Sequence, residues 1–334
     1  MEDMKAQVAV VLIGRNEGER LRKALESIPD GLQIVYVDSK STDDSVALAK
    51  QKGCIVVELD MSLPFTAARA RNEGFAALIR RAAQFKYVQF MDGDCEIAPD
   101  WLLKAIAALT DHKEVALVCG RRREKYPQSS QYTSVVDMEW HTPLGYIEAC
   151  GGDFLIRVSA FQEVEGFNPS WIAGEEPELC LRLRQRGWKL LRIDQDMTFH
   201  DAHITRFLQL WRRSIRSGHA FAEGFWNYRH TQERYCQKQV LSIVFWPFSL
   251  PFTVLVTVIP SHGLSLIALL SYLVPYYRMV SFQQQKGYSK PQARLYAKFI
   301  LILKFAEFLG MLTFLYRRLF RRKHTLIEYK SPYD

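Results

Sequence analysis

Over its first 120 residues the chain alternates short apolar runs with stretches of helical pattern, and few architectures accept that order. Val8–Ile13, Ile34–Val37, Ile55–Leu59, Tyr87–Met91 and Val115–Cys119 read as short strands. Between them lie Glu17–Ile28, Asp43–Lys52, Thr66–Gln84 and Pro99–Leu109, each of helical length. The breaks have a chemical cause: Pro29-Asp30-Gly31 ends the first helix and Gly53 the second. Strands separated by helices predict an α/β fold, a mostly parallel sheet with helices on both faces. Ligands of such sheets sit beyond the carboxyl ends of the strands. Arg15-Asn16-Glu17, Asp38 and Asp92-Gly93-Asp94 all fall there.

Composition changes at Val240. Val240–Ile259 is twenty residues without a charge. As a helix it is long enough to cross about 30 Å of hydrocarbon. Pro260-Ser261-His262-Gly263 reads as a turn, and a second apolar run follows, giving a hairpin over 240–259 and 264–280. Arg212, Arg213 and Arg216 precede it; Lys286, Lys290, Arg294 and Lys298 follow. The positive-inside tendency puts both flanks in the cytoplasm, at the inner (plasma) membrane. A third stretch, 295–322, is amphipathic: Lys304, Glu307, Gly310, Thr313, Arg317, Arg318 and Arg321 share one side. A helix lying on the cytoplasmic face satisfies that pattern, and a third crossing is the alternative. The chain thus divides into a catalytic region, 1–235, and a membrane-associated region, 236–334.

The 334 residues carry a net charge of +8. Because basic residues flank apolar segments, the excess points to anionic lipid and not to nucleic acid. The six cysteines form no C-x-x-C pair, so reduced, buried thiols are expected. The amino terminus shows no secretory pattern.

Two carboxylates around Gly93, at the end of a strand, suit a Mg²⁺ or Mn²⁺ ion carrying a nucleotide diphosphate. Asp-Gly-Asp also makes ordinary turns, so the triplet gains meaning from its surroundings. Asp38 opens a polar loop where it can accept from a base or ribose, although Ser41, Thr42 or Asp43 there could simply cap a helix. Glu17 stands where the helix dipole favours an anion. Arg69 and Arg71 begin a long helix, on different faces. Glu175 and Glu176 precede another helix, where like charges nearby raise a pKa and can make a general base. His200 and His203 follow a strand, and His200 is a candidate metal ligand or phosphate donor.

The ordered set resembles the inverting glycosyltransferases of family 2, with the Rossmann-like GT-A fold. Six segments carry the likeness across residues 8–230: Val10-Val11-Leu12-Ile13-Gly14-Arg15-Asn16-Glu17, Val35-Tyr36-Val37-Asp38-Ser39-Lys40-Ser41-Thr42-Asp43, Ala68-Arg69-Ala70-Arg71-Asn72-Glu73-Gly74, Phe90-Met91-Asp92-Gly93-Asp94, Gly151-Gly152-Asp153-Phe154-Leu155-Ile156-Arg157, and Gly166-Phe167 leading to Gly174-Glu175-Glu176-Pro177-Glu178-Leu179. The resemblance implies a UDP-sugar donor bound by Arg15, Glu17, Asp38, Arg71, Asp92 and Asp94. Asp92 and Asp94 would be the D-x-D element, with metal on Asp94, Asp92 and His200. Gly151 and Gly152 would lie on the acceptor side. Glu176 would be the base; the family usually has Glu-Asp there, so Glu175 is the alternative. Gln209-Leu210-Trp211-Arg212-Arg213 lacks the final Trp of the processive members' Gln-x-x-Arg-Trp, which implies transfer of one sugar. The membrane segment suggests a lipid-linked or envelope polysaccharide acceptor. The rivals are a nucleotidyltransferase of similar fold, disfavoured by the short acidic loop after the first strand, and a non-catalytic membrane scaffold.

Overall fold

A computed structural model describes residues 6–63, 66–81 and 85–320. They form two compact units, 1–126 with 139–202, and 127–138 with 203–334.

The first unit is built on a nine-stranded sheet in the order β3-β2-β1-β4-β8-β6-β9-β5, with β7 pairing β9. Strands β1 (Val8–Gly14), β2 (Gln33–Asp38), β3 (Ile55–Glu58) and β4 (Tyr87–Asp92) are parallel. Val8, Ala9, Val10, Val11 and Leu12 are all fully buried, as a strand covered on both faces requires. Register aligns Gly14 with Asp38 and Ile13 with Asp92, so the polar ends of three strands share one edge.

Beyond β4 the parallel pattern gives way to a mixed one. β8 (Phe154–Arg157) is antiparallel to β4 and to β6 (Val115–Glu124). Its start is tied to the end of β4, because the Asp92 amide donates to Asp153 Oδ1 at 3.2 Å. A strand that begins where its neighbour ends must run backwards. β9 (Lys189–His200) is parallel to β6 and antiparallel to β5 (Cys95–Ile97) and β7 (Gly145–Tyr146). β6 runs to Glu124, past the apolar Val115–Cys119, because β9 pairs its arginines as well.

Helices α1 (Glu19–Ser27), α2 (Ser45–Gln51), α3 (Ala67–Ile79) and α4 (Trp101–Asp111) fill the predicted positions. Residues 82–84 of the expected third helix lie outside the described residues. Thr66 caps α3 by accepting from the Arg69 amide at 3.1 Å. Gly74 lets α3 approach the sheet, since a Cβ there would stand 2.6 Å from Val11 Cγ1. Helix α5 spans Gln131–Trp140, α6 Val158–Glu163 and α7 Glu175–Gln185.

In the second unit α8 (Phe207–Tyr228) packs on α12 (Lys290–Leu319). The approach is close at two glycines: a Cβ at Gly218 would stand 1.9 Å from the Glu307 carbonyl oxygen, and one at Gly310 2.0 Å from that of Ile215. Among the described residues three helical stretches are long and apolar enough to cross a membrane: Gln237–Thr257, Leu264–Gln285 and Lys290–Leu319. The first joins α9 (Gln237–Val244) and α10 (Leu250–Thr257) through a π-helical turn at Phe245–Ser249. In that turn the Leu250 amide reaches Phe245 O. The next bond would run from residue 251 to Trp246 O, but Pro251 has no N–H. The Tyr272 hydroxyl, from the following helical stretch, donates to that carbonyl instead. A freed backbone group at membrane depth needs such a partner. The second stretch runs from a 3₁₀ segment, Leu264–Tyr272, into α11 (Leu273–Gln285). The basic residues Arg321, Arg322 and Lys323 lie outside the described residues.

Candidate active site

Arg71 is the centre of the site. It projects from α3 and is 2% exposed, whereas Arg69 turns outward to the carbonyls of Asp60 and Leu63. Its Nη2 lies 2.8 Å from Asp92 Oδ1; its Nη1 lies 3.1 Å from Glu175 Oε1 and 3.0 Å from Glu176 Oε1. Three carboxylates from two distant segments therefore meet one guanidinium. Opposite, Arg122 Nη2 reaches Asp92 Oδ2 at 3.2 Å and Asp153 Oδ2 at 2.8 Å. Asp153 is fully buried and also accepts from Thr198 Oγ1 at 2.6 Å.

This arrangement separates the carboxyls chemically. Burial alone would raise the pKa of Asp92, but Arg71 and Arg122 outweigh it and hold the group below the usual carboxylate range. Glu176 is pushed up to about 7, by burial first and by neighbouring Glu175 second, with Arg71 opposing. A carboxylate near neutrality in a cleft is what a general base requires.

Gly152 is part of the same cluster. A Cβ there would stand 2.6 Å from Arg71 Nη2, 3.0 Å from Glu176 Oε1 and 3.1 Å from Asp92 Oδ2. Only glycine leaves room for the guanidinium. Gly151 is exposed, with open space around its Cα.

Asp94 and His200 form a second, adjoining group. The pairing of Cys95 with His200 across β5 and β9 brings His200 Nε2 to 3.2 Å from Asp94 Oδ2. Both side chains are buried, and the Trp140 ring meets the imidazole edge-on at 4.9 Å. Ligand atoms of Asp94, Cys95 and His200 lie within 4.8 Å of one another. Burial raises the Cys95 thiol well above its ordinary range, so it stays protonated and ligates poorly. Both Asp92 oxygens are engaged by arginines. The donors that fit a Mg²⁺ or Mn²⁺ ion are thus Asp94 and His200, with Asp92 one residue beyond Gly93.

Asp38 is buried and works inside its own loop. It accepts from Ser41 Oγ at 2.5 Å, the Ser41 amide at 2.8 Å and Tyr36 Oη at 3.1 Å. Asn16, in the left-handed region at φ 55°, stitches this loop to the end of β1: its amide donates to Ser41 Oγ and its Oδ1 accepts from the Thr42 amide. Glu17 pairs with Arg20 at 2.9 Å and lies over Gly14 and Gly93. Arg15 is exposed at the same edge, and His203 is exposed beyond His200.

Arg122 and Asp153 were not singled out as functional residues by the sequence pattern. The signal for Arg122 was the run Arg121-Arg122-Arg123 continuing an apolar strand, which places alternate arginines on opposite faces. Asp153 stood inside a recognised segment but beside two more conspicuous glycines.

The pattern of Glycosyl transferase family 2 matches residues 9–163. A pre-mycofactocin glycosyltransferase of Mycobacterium tuberculosis is 28% identical over 232 residues, covering 64% of this chain and 46% of the relative. The chain therefore spans about half the length of that relative. An uncharacterized glycosyltransferase of the same organism is 28% identical over 196 residues, covering 56% of this chain and 83% of its own. A mannosyltransferase from Pyrobaculum calidifontis, solved with GDP-Man and Mn²⁺, superposes with a TM-score of 0.61 at 16% identity, covering 93% of this chain and 88% of that one. The fold is GT-A, and residues 9–163 carry a match to Glycosyl transferase family 2.

Proposed function

We propose that this protein is an inverting glycosyltransferase that moves one sugar from a nucleotide sugar, with a UDP-linked donor favoured, to a lipid-linked or envelope polysaccharide acceptor. The observation that carries the reading is the cluster of Asp92, Glu175 and Glu176 on buried Arg71, which supports one carboxyl near neutrality and another ionised. Glu176 is the general base. It takes the acceptor's hydroxyl proton as the acceptor oxygen bonds to the anomeric carbon and the sugar–phosphate bond breaks, releasing the nucleoside diphosphate with inversion. Glu175 and Arg71 orient that base, and Asp92 fixes Arg71 and Arg122 at the diphosphate side. Asp94 and His200 would hold a divalent cation, which supplies Lewis-acid stabilisation of the leaving diphosphate. Glu17, Asp38 and Arg15 face the base and ribose at the edge shared by β1 and β2. The Mn²⁺ and nucleotide sugar bound by the mannosyltransferase of like fold support both the cation and the donor class.

The three long apolar helical stretches and their basic flanks support attachment to the plasma membrane with the catalytic domain on the cytoplasmic side.

The test is transfer or donor hydrolysis by the detergent-solubilised full chain against UDP- and GDP-sugars with Mg²⁺ or Mn²⁺. One donor should turn over with metal, and Glu176→Gln should lower its rate about 10²- to 10⁴-fold while donor binding persists. Activity untouched by Glu176→Gln would move the base elsewhere, first to Glu175. The absence of turnover and of saturable binding with every nucleotide sugar would overturn the reading.

A further inference from the structure

A cavity of about 270 Å³ opens beside the carboxylate cluster, and it shares Arg122, Gly151 and Asp153 with that cluster's surroundings. Its remaining wall includes Trp140, Thr142, Cys119, Cys150, Met197 and Arg192. Arg192 takes no part in the carboxylate cluster. It stands on β9 opposite Cys119 of β6, just before three residues of β9 bulge out of register. That bulge brings Gln195 O within 2.4 Å of where a Cβ of Gly120 would lie, so glycine is required there and the cavity wall is tightly built.

Arg192 is 8% exposed. It donates to Thr142 Oγ1 and to Trp140 O. A guanidinium has five N–H donors, so three remain without a protein acceptor among the described residues, and Nε is one of them. Its charge has no carboxylate partner among those residues either. Asp153, an acid of the wall, is engaged by Arg122 and Thr198. Glu139 also lines the cavity and is itself engaged. The two thiols bring no negative charge: burial pushes Cys119 up to about 12, and the contact with Cys180 together with burial raises Cys150 well above its ordinary range. Burial, with Arg121 nearby, holds Arg192 below the usual arginine range. A buried cation left uncompensated is costly, and folds retain one where a ligand supplies the counter-charge.

We propose that this cavity is the subsite for an acidic group of the acceptor, a phosphate or carboxylate seated on the Arg192 guanidinium, beside the hydroxyl that Glu176 deprotonates. The assignment of that group to the acceptor rests on the function proposed above. Arginine suits it because its planar fork meets either oxyanion with two parallel hydrogen bonds.

The experiment measures binding of inorganic phosphate, glycerol 3-phosphate and D-glucuronate to the detergent-solubilised full chain, with phosphatidic acid in the micelles as the lipid-borne arm. Mn²⁺-dependent binding of the active nucleotide sugar is measured in the same preparations. At least one oxyanion should bind saturably, weaken tenfold or more in Arg192→Met and recover in part in Arg192→Lys. Binding of phosphatidic acid alone identifies a lipid headgroup, and binding of the soluble probes a free or sugar-borne acid; both outcomes support the subsite. Should Arg192→Met fail to fold, Gly151→Leu carries the test, because its side chain enters open space at the cavity wall and should block the oxyanion. Oxyanion binding that is absent, or indifferent to both substitutions, overturns the subsite while leaving donor binding intact. Donor affinity that falls more than threefold in Arg192→Met would place the cation in the donor site and equally overturn the proposal. Arg192-dependent oxyanion binding in a protein that binds no nucleotide sugar would instead sink the transferase reading and leave an anion site standing.

Discussion

At the scale of single residues, the site depends on how one guanidinium is shared. Arg71, itself buried, neutralises buried Glu175 and the partly exposed Asp92 and Glu176. Removing it leaves Glu175 buried without that cation and Glu176 partly buried beside it, while Asp92 keeps Arg122. Arg71→Met should therefore destabilise the folded domain by about 3–5 kcal/mol, read by thermal or denaturant unfolding. It should also act on the base. Arg71 lowers the pKa of Glu176, so its loss lets burial and Glu175 push that carboxyl above its present value of about 7. The base works only when ionised. In the wild type, activity should thus rise with pH through about 7, as one proton leaves. In Arg71→Met the midpoint should move to higher pH. A wild-type profile flat between pH 6 and 8 would contradict Glu176 as the titrating base.

Secondary-structure elements contribute by where they end and how closely they pack. The carboxyl ends of β1, β2 and β4 supply Glu17, Asp38 and Asp92, while antiparallel β8 delivers Gly152 and Asp153 to the same edge from the opposite direction. In the second unit the packing of α8 on α12 rests on backbone contact at Gly218 and Gly310. Small residues permit such close approach of two helix backbones. Gly218→Ala would force the helices apart, since its Cβ would overlap the Glu307 carbonyl. The expected cost is about 1–3 kcal/mol, read as a lower midpoint of thermal unfolding in detergent. An unchanged midpoint would mean that this contact contributes nothing to stability.

For the molecule as a whole, the apolar helices dominate its surroundings. Ile259 is 84% exposed and Leu255 71%, and only 11% and 6% of the first two apolar windows are buried, against 33% of the third. Helices apolar on all sides need hydrocarbon around them, whereas the third hides part of its surface against α8. The full chain should stay in the membrane pellet after alkaline carbonate extraction. In the proposed topology, Ser261→Cys in the turn should react with an impermeant thiol reagent added from outside the cell. Release into the supernatant would rule out spanning helices, and labelling only from the cytoplasmic side would invert the proposed orientation.

The alternation of strands and helices, the apolar hairpin and the polar residues at strand ends were legible in the sequence, because each depends on residues within one or two turns of each other. Hydrophobic period and turn chemistry are local properties. Spacing put Arg69 and Arg71 on different faces without saying which face is inside; the resemblance named Arg71, and its place among three carboxylates was not legible. Its partner Glu175 is 104 residues away, and Arg122 finds Asp153 across 31. The switch from a parallel to a mixed sheet beyond β4 has the same origin, since a strand's direction depends on where its chain arrives. By itself the sequence determined which residues carry charge and which elements carry them. Only the tertiary structure decided which charges meet, that Arg192 has no carboxylate partner among the described residues, and how far burial moves Glu176 toward neutrality, because Coulomb interaction and desolvation act through space and take no account of distance along the chain.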